Sequence, residues 1–261
     1  MAASPHPATA PALETRGLTI RFGGHVAVND VSCSFSPGTL TAIVGPNGAG
    51  KTTYFNLISG QLPASAGQVF VGGEDITKLP AALRTRKGLG RAFQLTNLFP
   101  QLTVLENVRL AVQCRAGAGW SLLSIWNQRR DLIAEAEAIL ERVRLADRRN
   151  LSPKVLSHGD QRKLEVALLI ALEPKVFMFD EPTAGMSVDE VPTVLELIQD
   201  LKKRTDRTIL LVEHKMDVVR TLADRIVVLH NGALVADGDP AEVIASPIVQ
   251  EVYLGMERPR A

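Results

Sequence analysis

The sequence predicts an α/β fold in which short buried strands end in loops that carry polar residues. Three observations predict it. Continuous apolar runs at 40–44, 176–179 and 208–212 are typical of buried strands. The first run is followed by a glycine-rich loop and then by a helical pattern. The second run is followed by two acids, and a histidine lies shortly after the third run. Strand, glycine loop and helix in this order are typical of an α/β core.

The composition is that of an ordinary globular protein, with 261 residues, 46% hydrophobic and 22% charged. The net charge of +1 gives no basic surface, so we expect no nucleic-acid partner. The two cysteines, Cys33 and Cys114, lack metal-ligand spacing and favour a reducing compartment. The sequence contains no run of about 18 apolar residues, so it predicts no membrane span. The Ala- and Pro-rich residues 1–12 lack the features of a secretory signal and are predicted to be a disordered tail.

The loop "GPNGAGKTT" at 45–53 matches the spacing G-x-x-x-x-G-K-[ST]. Glycines let several N–H groups converge on one anion, and the helix that begins near Lys51 adds its positive end. Lys51 can reach the β- and γ-phosphates of a nucleotide, and the Thr52 hydroxyl can bind Mg²⁺. The alternative is a plain strand-to-helix connection with glycine turns. The predicted nucleotide-binding residues of this loop are Gly45, Pro46, Asn47, Gly48, Ala49, Gly50, Lys51, Thr52 and Thr53.

Two acids end the second apolar run. Asp180, at the carboxyl end of a strand beside a phosphate loop, can hold Mg²⁺ through water. Glu181 is expected to point differently, because side chains alternate along a strand, and it can polarise the water that attacks a phosphate. The alternative is a strand end with two solvated acids.

His214 follows the third run and can contact the γ-phosphate and orient the attacking water, although a histidine there can equally be structural or solvated. Residues 155–174 show helical spacing of apolar residues. Ser157 with Asp160 reads as a capping box at the start of that helix. Alternatively, Ser157 and the Gly159 backbone present an anion site there.

Taken in order, "GPNGAGKTT", Gln94 in "RAFQLTNLF", "LSHGD", "VFMFDE" and His214 resemble the nucleotide-binding subunit of an ATP-binding cassette (ABC) transporter over about residues 13–255. In that family they are the Walker A loop, the Q-loop, the signature, the Walker B strand and the switch histidine. The resemblance is closer still to the cassettes of branched-chain amino acid importers and their urea and amide relatives. It rests on "RFGGHVAVNDVS", "FQLTNLFPQLTVLENV", "LSHGDQRKLEVA" and "IVQEVYLG".

The resemblance implies a P-loop NTPase (RecA-like) core with an antiparallel β subdomain, formed by 13–95 and 161–255. A helical subdomain at 96–160 is inserted into it, and 256–261 form a second tail. Phe22 occupies the position where the family stacks an aromatic ring on adenine, and a core phenylalanine is the alternative.

The resemblance also implies an ATPase that uses ATP and Mg²⁺. The expected catalytic residues are Glu181, His214 and Gln94, and the expected metal-binding residues are Thr52, Gln94 and Asp180. Ser157 and Gly159 would face the ATP of a second cassette, either an identical copy or a paralogue. The other implied partners are two transmembrane permease subunits and, indirectly, a solute-binding protein. The implied location is peripheral, at the cytoplasmic face of the inner membrane.

Two departures from the general family pattern stand out. The signature is "LSHGD" rather than Leu-Ser-Gly-Gly-Gln, so His158 and Asp160 replace two of its residues. Ser187 occupies a position that is usually aspartate, and the role of that aspartate in communication between subunits cannot be carried over. The competing hypotheses are another kind of ABC transporter, a soluble ABC protein acting on ribosomes or DNA, and a kinase. A kinase would leave "LSHGD" and His214 unexplained.

Other segments predict the organisation of the chain. A helix is expected at 131–146 with one apolar stripe, and a hairpin around Asn231-Gly232. The segment "LTNLFPQLTV" is predicted to be a loop that either docks a membrane partner or packs under its own lobe. Its apolar residues are Leu95, Leu98, Phe99 and Leu102. Trp120 and Trp126 are expected either to pack within the helical lobe or to contact a membrane partner.

Overall fold

The computed structural model describes residues 10–92, 98–117 and 130–254. The strands in these residues are β1 Leu13–Phe22, β2 His25–Phe35, β3 Leu40–Val44, β4 Ala66–Val71, β5 Glu74–Asp75, β6 Leu89–Arg91, β7 Val176–Asp180, β8 Thr208–Val212, β9 Arg225–His230 and β10 Ala233–Gly238. The helices are α1 Lys51–Ser59, α2 Ala81–Arg86, α3 Val104–Arg115, α4 Arg130–Arg142, α5 His158–Leu172, α6 Val191–Lys202, α7 Met216–Leu222, α8 Pro240–Ala245 and α9 Pro247–Leu254. None of the helices in the described ranges is long and apolar enough to cross a membrane.

A six-stranded sheet with the order β10-β9-β3-β8-β7-β6 forms the centre of the molecule. Its strands are parallel from β9 to β6, and every residue of β3, β7 and β8 is buried. The three apolar runs are therefore the buried strands that the sequence predicts. Because β3, β8 and β7 are parallel neighbours, their carboxyl ends bring the glycine loop, His214 and the two acids to one edge.

Strand β10 pairs antiparallel with β9 through the predicted two-residue hairpin. Asn231 has φ 49° and Gly232 has φ 78°, so both residues adopt the left-handed conformation that such tight turns require.

A second, antiparallel sheet with the order β2-β1-β4-β5 covers α1. Helix α1 contributes Tyr54 and Phe55 to one buried cluster with Leu18 and Phe35 of this sheet and Met178 of the central sheet. The Tyr54 hydroxyl also lies 2.7 Å from Thr15 Oγ1. The helix that follows the glycine loop is therefore fixed between the two sheets.

The helical part of the molecule consists of α3, α4 and α5, which pack against one another. The predicted stripe of α4 is buried there, and α3 contributes Val104, Val108 and Val112. Helix α5 also contacts β6 of the central sheet. The predicted subdomain boundary at 160 lies inside α5, so it divides a helix that packs as one element.

The predicted tail at 1–12 is wrong at its last residue. The N–H of Ala12 donates to the carbonyl of Phe35 at 2.9 Å, and its carbonyl accepts from the N–H of Gly72 at 3.0 Å. Sheet pairing therefore begins before β1. The predictions for 1–9, for 256–261 and for Trp120 and Trp126 fall outside the described residues.

Candidate active site

The glycine loop leaves the buried end of β3 and enters α1 at Lys51. A Cβ at Gly45 would lie 2.1 Å from the carbonyl oxygen of Leu229, and a Cβ at Gly50 would lie 2.4 Å from that of Ala27. Only glycine fits at these two positions without a shift of backbone. The loop borders a cavity of about 320 Å³ that is lined by His25, Ala27, Asn47, Gly48, Ala49, Gly50, Lys51, Thr52, Thr53, Glu181 and His214.

Lys51 is almost fully buried at the floor of this cavity. Its Nζ donates to the carbonyl oxygens of Gly45 at 2.7 Å and Pro46 at 2.9 Å, so the side chain folds back over the loop. Burial lowers the pKa of Lys51, and the negative charges of Glu181 and Asp180 oppose that shift. The ammonium group is therefore placed where a phosphate can replace the carbonyl oxygens as its acceptor.

Asp180 is the last residue of β7 and is 4% exposed. Its Oδ2 accepts a hydrogen bond of 2.7 Å from Arg91 Nη2. Its Oδ1 is buried and has no hydrogen-bond partner within the described residues. Burial lowers the pKa of Arg91, and Asp180 opposes this shift.

The unpartnered oxygen fits the expected Mg²⁺. Magnesium in nucleotide sites is held by one or two protein oxygens, by phosphate and by water, and Asp180 Oδ1 can accept from a metal-bound water. Thr52, which is exposed at the cavity, supplies the hydroxyl. Gln94, the third expected ligand, lies outside the described residues.

Glu181 and His214, two of the expected catalytic residues, contact each other. His214 Nε2 lies 2.7 Å from Glu181 Oε1, and both side chains are partly exposed to the cavity. When the carboxylate is ionised, the Nε2–H of His214 donates to it. The predicted reason for the direction of Glu181 is wrong. Strand β7 ends at Asp180, and Glu181 turns away because its backbone is left-handed, with φ 50°.

Glu213 is a residue of this region that the sequence interpretation missed. It is 3% exposed, its Oε1 accepts from Thr183 Oγ1 at 2.7 Å, and its Oε2 accepts from the N–H of His214 at 3.2 Å. Glu213 thus joins the loop after β7 to the segment that carries His214. An acid directly before the histidine, after an apolar strand, was the available signal.

Phe22 lies at the end of β1 and is 50% exposed, so the core alternative is wrong. It pairs across the β1–β2 hairpin with His25, which lines the cavity. Phe22 therefore lies next to the cavity wall, and stacking on adenine stays a prediction. His25 is a second ring at this wall that the sequence interpretation did not select.

Ser157 caps α5, and its Oγ accepts from the N–H of Asp160 at 3.2 Å. The second half of the predicted capping box is wrong, because the Asp160 carboxylate pairs with Arg148 and Lys163 instead. Ser157 and Gly159 are not among the described residues that line the cavity. If the start of α5 binds a nucleotide phosphate, that nucleotide is bound by another chain.

Four features define the class of protein. They are a central parallel sheet, a glycine loop that leads into a helix, a buried acid at the end of β7, and a Glu–His pair at the cavity that the glycine loop borders. The protein is a P-loop nucleoside triphosphatase.

Residues 28–184 match the family model described as ABC transporter, and the chain belongs to that family. It is 38% identical over 253 residues to the high-affinity branched-chain amino acid transport ATP-binding protein LivG of Escherichia coli K12, covering 94% of this chain and 98% of the relative. It is also 38% identical to the corresponding protein BraF of Pseudomonas aeruginosa, again covering 94% of this chain and 98% of the relative.

Solved structures agree. A nucleotide-free ATP-binding cassette of an ABC transporter superposes with a TM-score of 0.79 at 28% identity, covering 93% of this chain and 98% of that one. The ADP conformation of the ATP-binding cassette MJ1267 gives a TM-score of 0.79 at 30% identity, covering 95% of this chain and 100% of that one. The chain is thus an ABC ATP-binding subunit, an ATPase homologous to the cassettes of branched-chain amino acid importers. This membership excludes the kinase alternative.

Proposed function

We propose that this ATPase powers the uptake of branched-chain amino acids, or of a related small polar solute, through membrane permease partners. The similarity to LivG and BraF carries the proposal, because it extends over nearly the full length of both chains. The solute passes through the permease subunits and, on this proposal, does not contact this chain.

The cavity supports a specific division of labour in hydrolysis. The loop N–H groups and Lys51 bind the phosphates of ATP. Mg²⁺, held by Thr52, Asp180 and Gln94, supplies positive charge to the phosphate oxygens when it is bound. The oxygen of the water attacks the γ-phosphorus, and Glu181 accepts a proton from that water. The bond between the γ-phosphorus and the oxygen that bridges to the β-phosphate breaks, and ADP leaves. His214 fixes the Glu181 carboxylate through their 2.7 Å contact.

A second cassette completes each site. Ser157 and Gly159 lie at the positive end of α5, outside the cavity of their own chain, and can bind the γ-phosphate held by a partner cassette. The partner is either an identical copy or a paralogue. Hydrolysis then requires closure of two chains over ATP, which ties the chemistry to a movement.

The membrane subunits dock, on this proposal, in an apolar groove of about 380 Å³ between α3, α5 and the end of β6. Leu98, Phe99, Leu168 and Leu172 are among its lining residues. Phe99 is 57% exposed, and an exposed aromatic ring beside an apolar groove fits the apolar face of a helix from a permease subunit. Docking places the chain peripherally at the cytoplasmic face of the inner membrane. A solute-binding protein then acts only indirectly, through the permease.

Reconstitution tests the proposal. The chain is co-purified with its membrane subunits, placed in proteoliposomes with the solute-binding protein, and assayed for released phosphate. Leucine, isoleucine or valine should raise ATP hydrolysis, and the Glu181→Gln complex should show no such increase. A response to urea or an amide alone would identify the related solute class. Hydrolysis that no solute changes, together with co-purification of ribosomes, would favour the soluble alternative.

A further inference from the structure

Arg91 contacts the acid at the end of β7 and also lines the apolar groove. It is the last residue of β6 and is 9% exposed. Its Nη2 donates to Asp180 Oδ2 at 2.7 Å, and the two side chains are almost fully buried, so water and salt screen this ion pair little. Arg91 also lines the groove together with Leu98 and Phe99.

The other terminal nitrogen of Arg91 fixes the guanidinium to the end of α1. Nη1 donates to Asn56 Oδ1 at 2.6 Å, to Ser59 Oγ at 3.0 Å and to Gln61 Oε1 at 3.1 Å. Helix α1 begins at Lys51, in the phosphate cavity. A planar guanidinium holds all of these acceptors in one fixed arrangement, which an ammonium group cannot reproduce. Arg91 therefore sets the position of Asp180 relative to the phosphate-binding helix.

The ion pair also decides which oxygen of Asp180 is available. Oδ2 is taken by Arg91, whereas Oδ1 is buried without a partner within the described residues. A displacement of Arg91 at the groove would rotate or release the same carboxylate that is expected to hold Mg²⁺.

We propose that Arg91 is a positioning residue that transmits the occupation of the groove by a membrane subunit to Asp180. The inference rests on the proposed function, since the groove is the docking site proposed there. A partner helix that presses on the guanidinium changes the orientation of Asp180, and through it the contribution of Mg²⁺ to nucleotide binding. By reciprocity, binding of nucleotide with Mg²⁺ changes the affinity for the partner.

The test compares Arg91→Lys with a matched control, Arg84→Lys. Arg84 is also buried, at 3% exposed, and it donates to the carbonyls of Leu57 and Ile58 at the end of α1. It is not among the described residues that line the groove, and its hydrogen bonds do not include Asp180. Both substitutions remove a buried guanidinium from the same helix end, so a merely structural effect should appear in both.

The first measurement is the dissociation constant of ATP for the isolated subunit, by calorimetry, without Mg²⁺ and at saturating Mg²⁺. Mg²⁺ should tighten ATP binding, and the tightening is the ratio of the dissociation constants without and with Mg²⁺. Arg91→Lys should lower this ratio on the order of tenfold, an ordinary coupling between two sites, and leave the dissociation constant without Mg²⁺ unchanged. The Arg84→Lys protein should keep the full tightening. An equal loss in both variants, or no loss in Arg91→Lys, overturns the inference.

The second measurement repeats the titration on the complex with the membrane subunits. Assembly should change the tightening by Mg²⁺ for the unsubstituted protein and for Arg84→Lys, but not for Arg91→Lys. If the Arg91→Lys complex shows the full change, Arg91 does not transmit groove occupation. Failure of the proposed function would look different, because the unsubstituted chain would then still bind ATP but would not bind the membrane subunits.

A gentler variant keeps the inference testable if Arg91→Lys does not fold. Ser59→Ala removes one acceptor of Arg91 Nη1 and leaves the ion pair with Asp180 in place. It should fold, as thermal unfolding can verify, and should shift the tightening by Mg²⁺ in the same direction by a smaller factor. An unchanged tightening in a folded Ser59→Ala protein counts against the inference.

Discussion

The phosphate cavity and the apolar groove are similar in volume, about 320 and 380 Å³, yet differ in the groups that line them. The phosphate cavity is lined by backbone groups of a glycine loop, by hydroxyls and by the charged or polar ends of Lys51, Glu181 and His214. The groove is lined mainly by leucine and alanine side chains with Phe99 at its edge. The first fixes a small anion by geometry, whereas the second offers area to another protein surface.

The difference suggests separable effects. Substitutions in the cavity should change nucleotide binding or hydrolysis and leave the membrane complex intact. Substitutions in the groove should weaken the membrane complex and leave nucleotide binding intact. Arg91 is the proposed exception, because it lines the groove and also contacts Asp180, the buried acid that is expected to hold Mg²⁺.

The largest effect is expected from Glu181→Gln. The amide keeps the shape of the side chain but cannot accept a proton, so hydrolysis should fall on the order of 10²- to 10⁴-fold while ATP still binds. Released phosphate from the assembled complex measures the rate. Glu173→Gln is a matched control, because Glu173 also has a left-handed backbone, with φ 45°, but lies outside the cavity. Near-normal hydrolysis by Glu181→Gln would assign the base to another group.

Lys51→Ala should weaken ATP binding, because it removes the buried ammonium group of the loop. Loss of a charge-assisted contact costs about 1.5–3 kcal/mol, or roughly ten- to a hundredfold in dissociation constant. Calorimetry with Mg²⁺ measures the change. Lys87→Ala, which removes a surface lysine paired with Glu74, should have no effect. An unchanged affinity in Lys51→Ala would contradict the assignment of this cavity to phosphate.

The same contrast explains how much could be predicted from the sequence. The phosphate cavity is built mainly from the contiguous residues 47–53 and from the ends of two strands, so local spacing indicated it. The partners of these residues were not predictable. The Arg91–Asp180 and Thr183–Glu213 pairs join residues that are 89 and 30 positions apart, and they depend on strand order and loop conformation, which apolar runs do not encode.

The groove was even harder to predict from the sequence than the partners of the cavity residues. It combines residues from 91–92 and 98–114 with residues from 165–172, and no one of these segments alone indicates a cavity. The sequence shows the apolar loop, but it does not decide between docking of a membrane partner and packing under its own lobe. Leu98 packs against the core of its own chain, whereas Phe99 is exposed, so these two residues behave differently. Leu95 lies outside the described residues.

Phe99→Ser should weaken the complex with the membrane subunits by at least about tenfold, as for aromatic anchors that become buried on binding, and leave ATP affinity unchanged. Co-purification and titration of the complex measure the loss. Ile248→Ser is the control, because Ile248 is 48% exposed on α9, outside the groove. A double substitution of Leu98 and Phe99 would be less selective, since Leu98 also packs inside the chain. A complex that survives Phe99→Ser would argue against this docking site.

The smallest expected effect concerns α3, one wall of the groove. Thr103 and Glu106 form a capping box at its start, with the N–H of Glu106 donating to Thr103 Oγ1 at 3.2 Å and the N–H of Thr103 donating to Glu106 Oε2 at 2.8 Å. Thr103→Ala should lower the free energy of unfolding by about 1 kcal/mol, whereas Thr103→Ser should retain the cap. Chemical denaturation measures both. Because Thr103 is remote in sequence from the glycine loop and is not among the described residues that line the phosphate cavity, ATP affinity should not change. A loss of ATP affinity in Thr103→Ala, but not in Thr103→Ser, would mean that the wall of the groove and the phosphate cavity are coupled by more than Arg91.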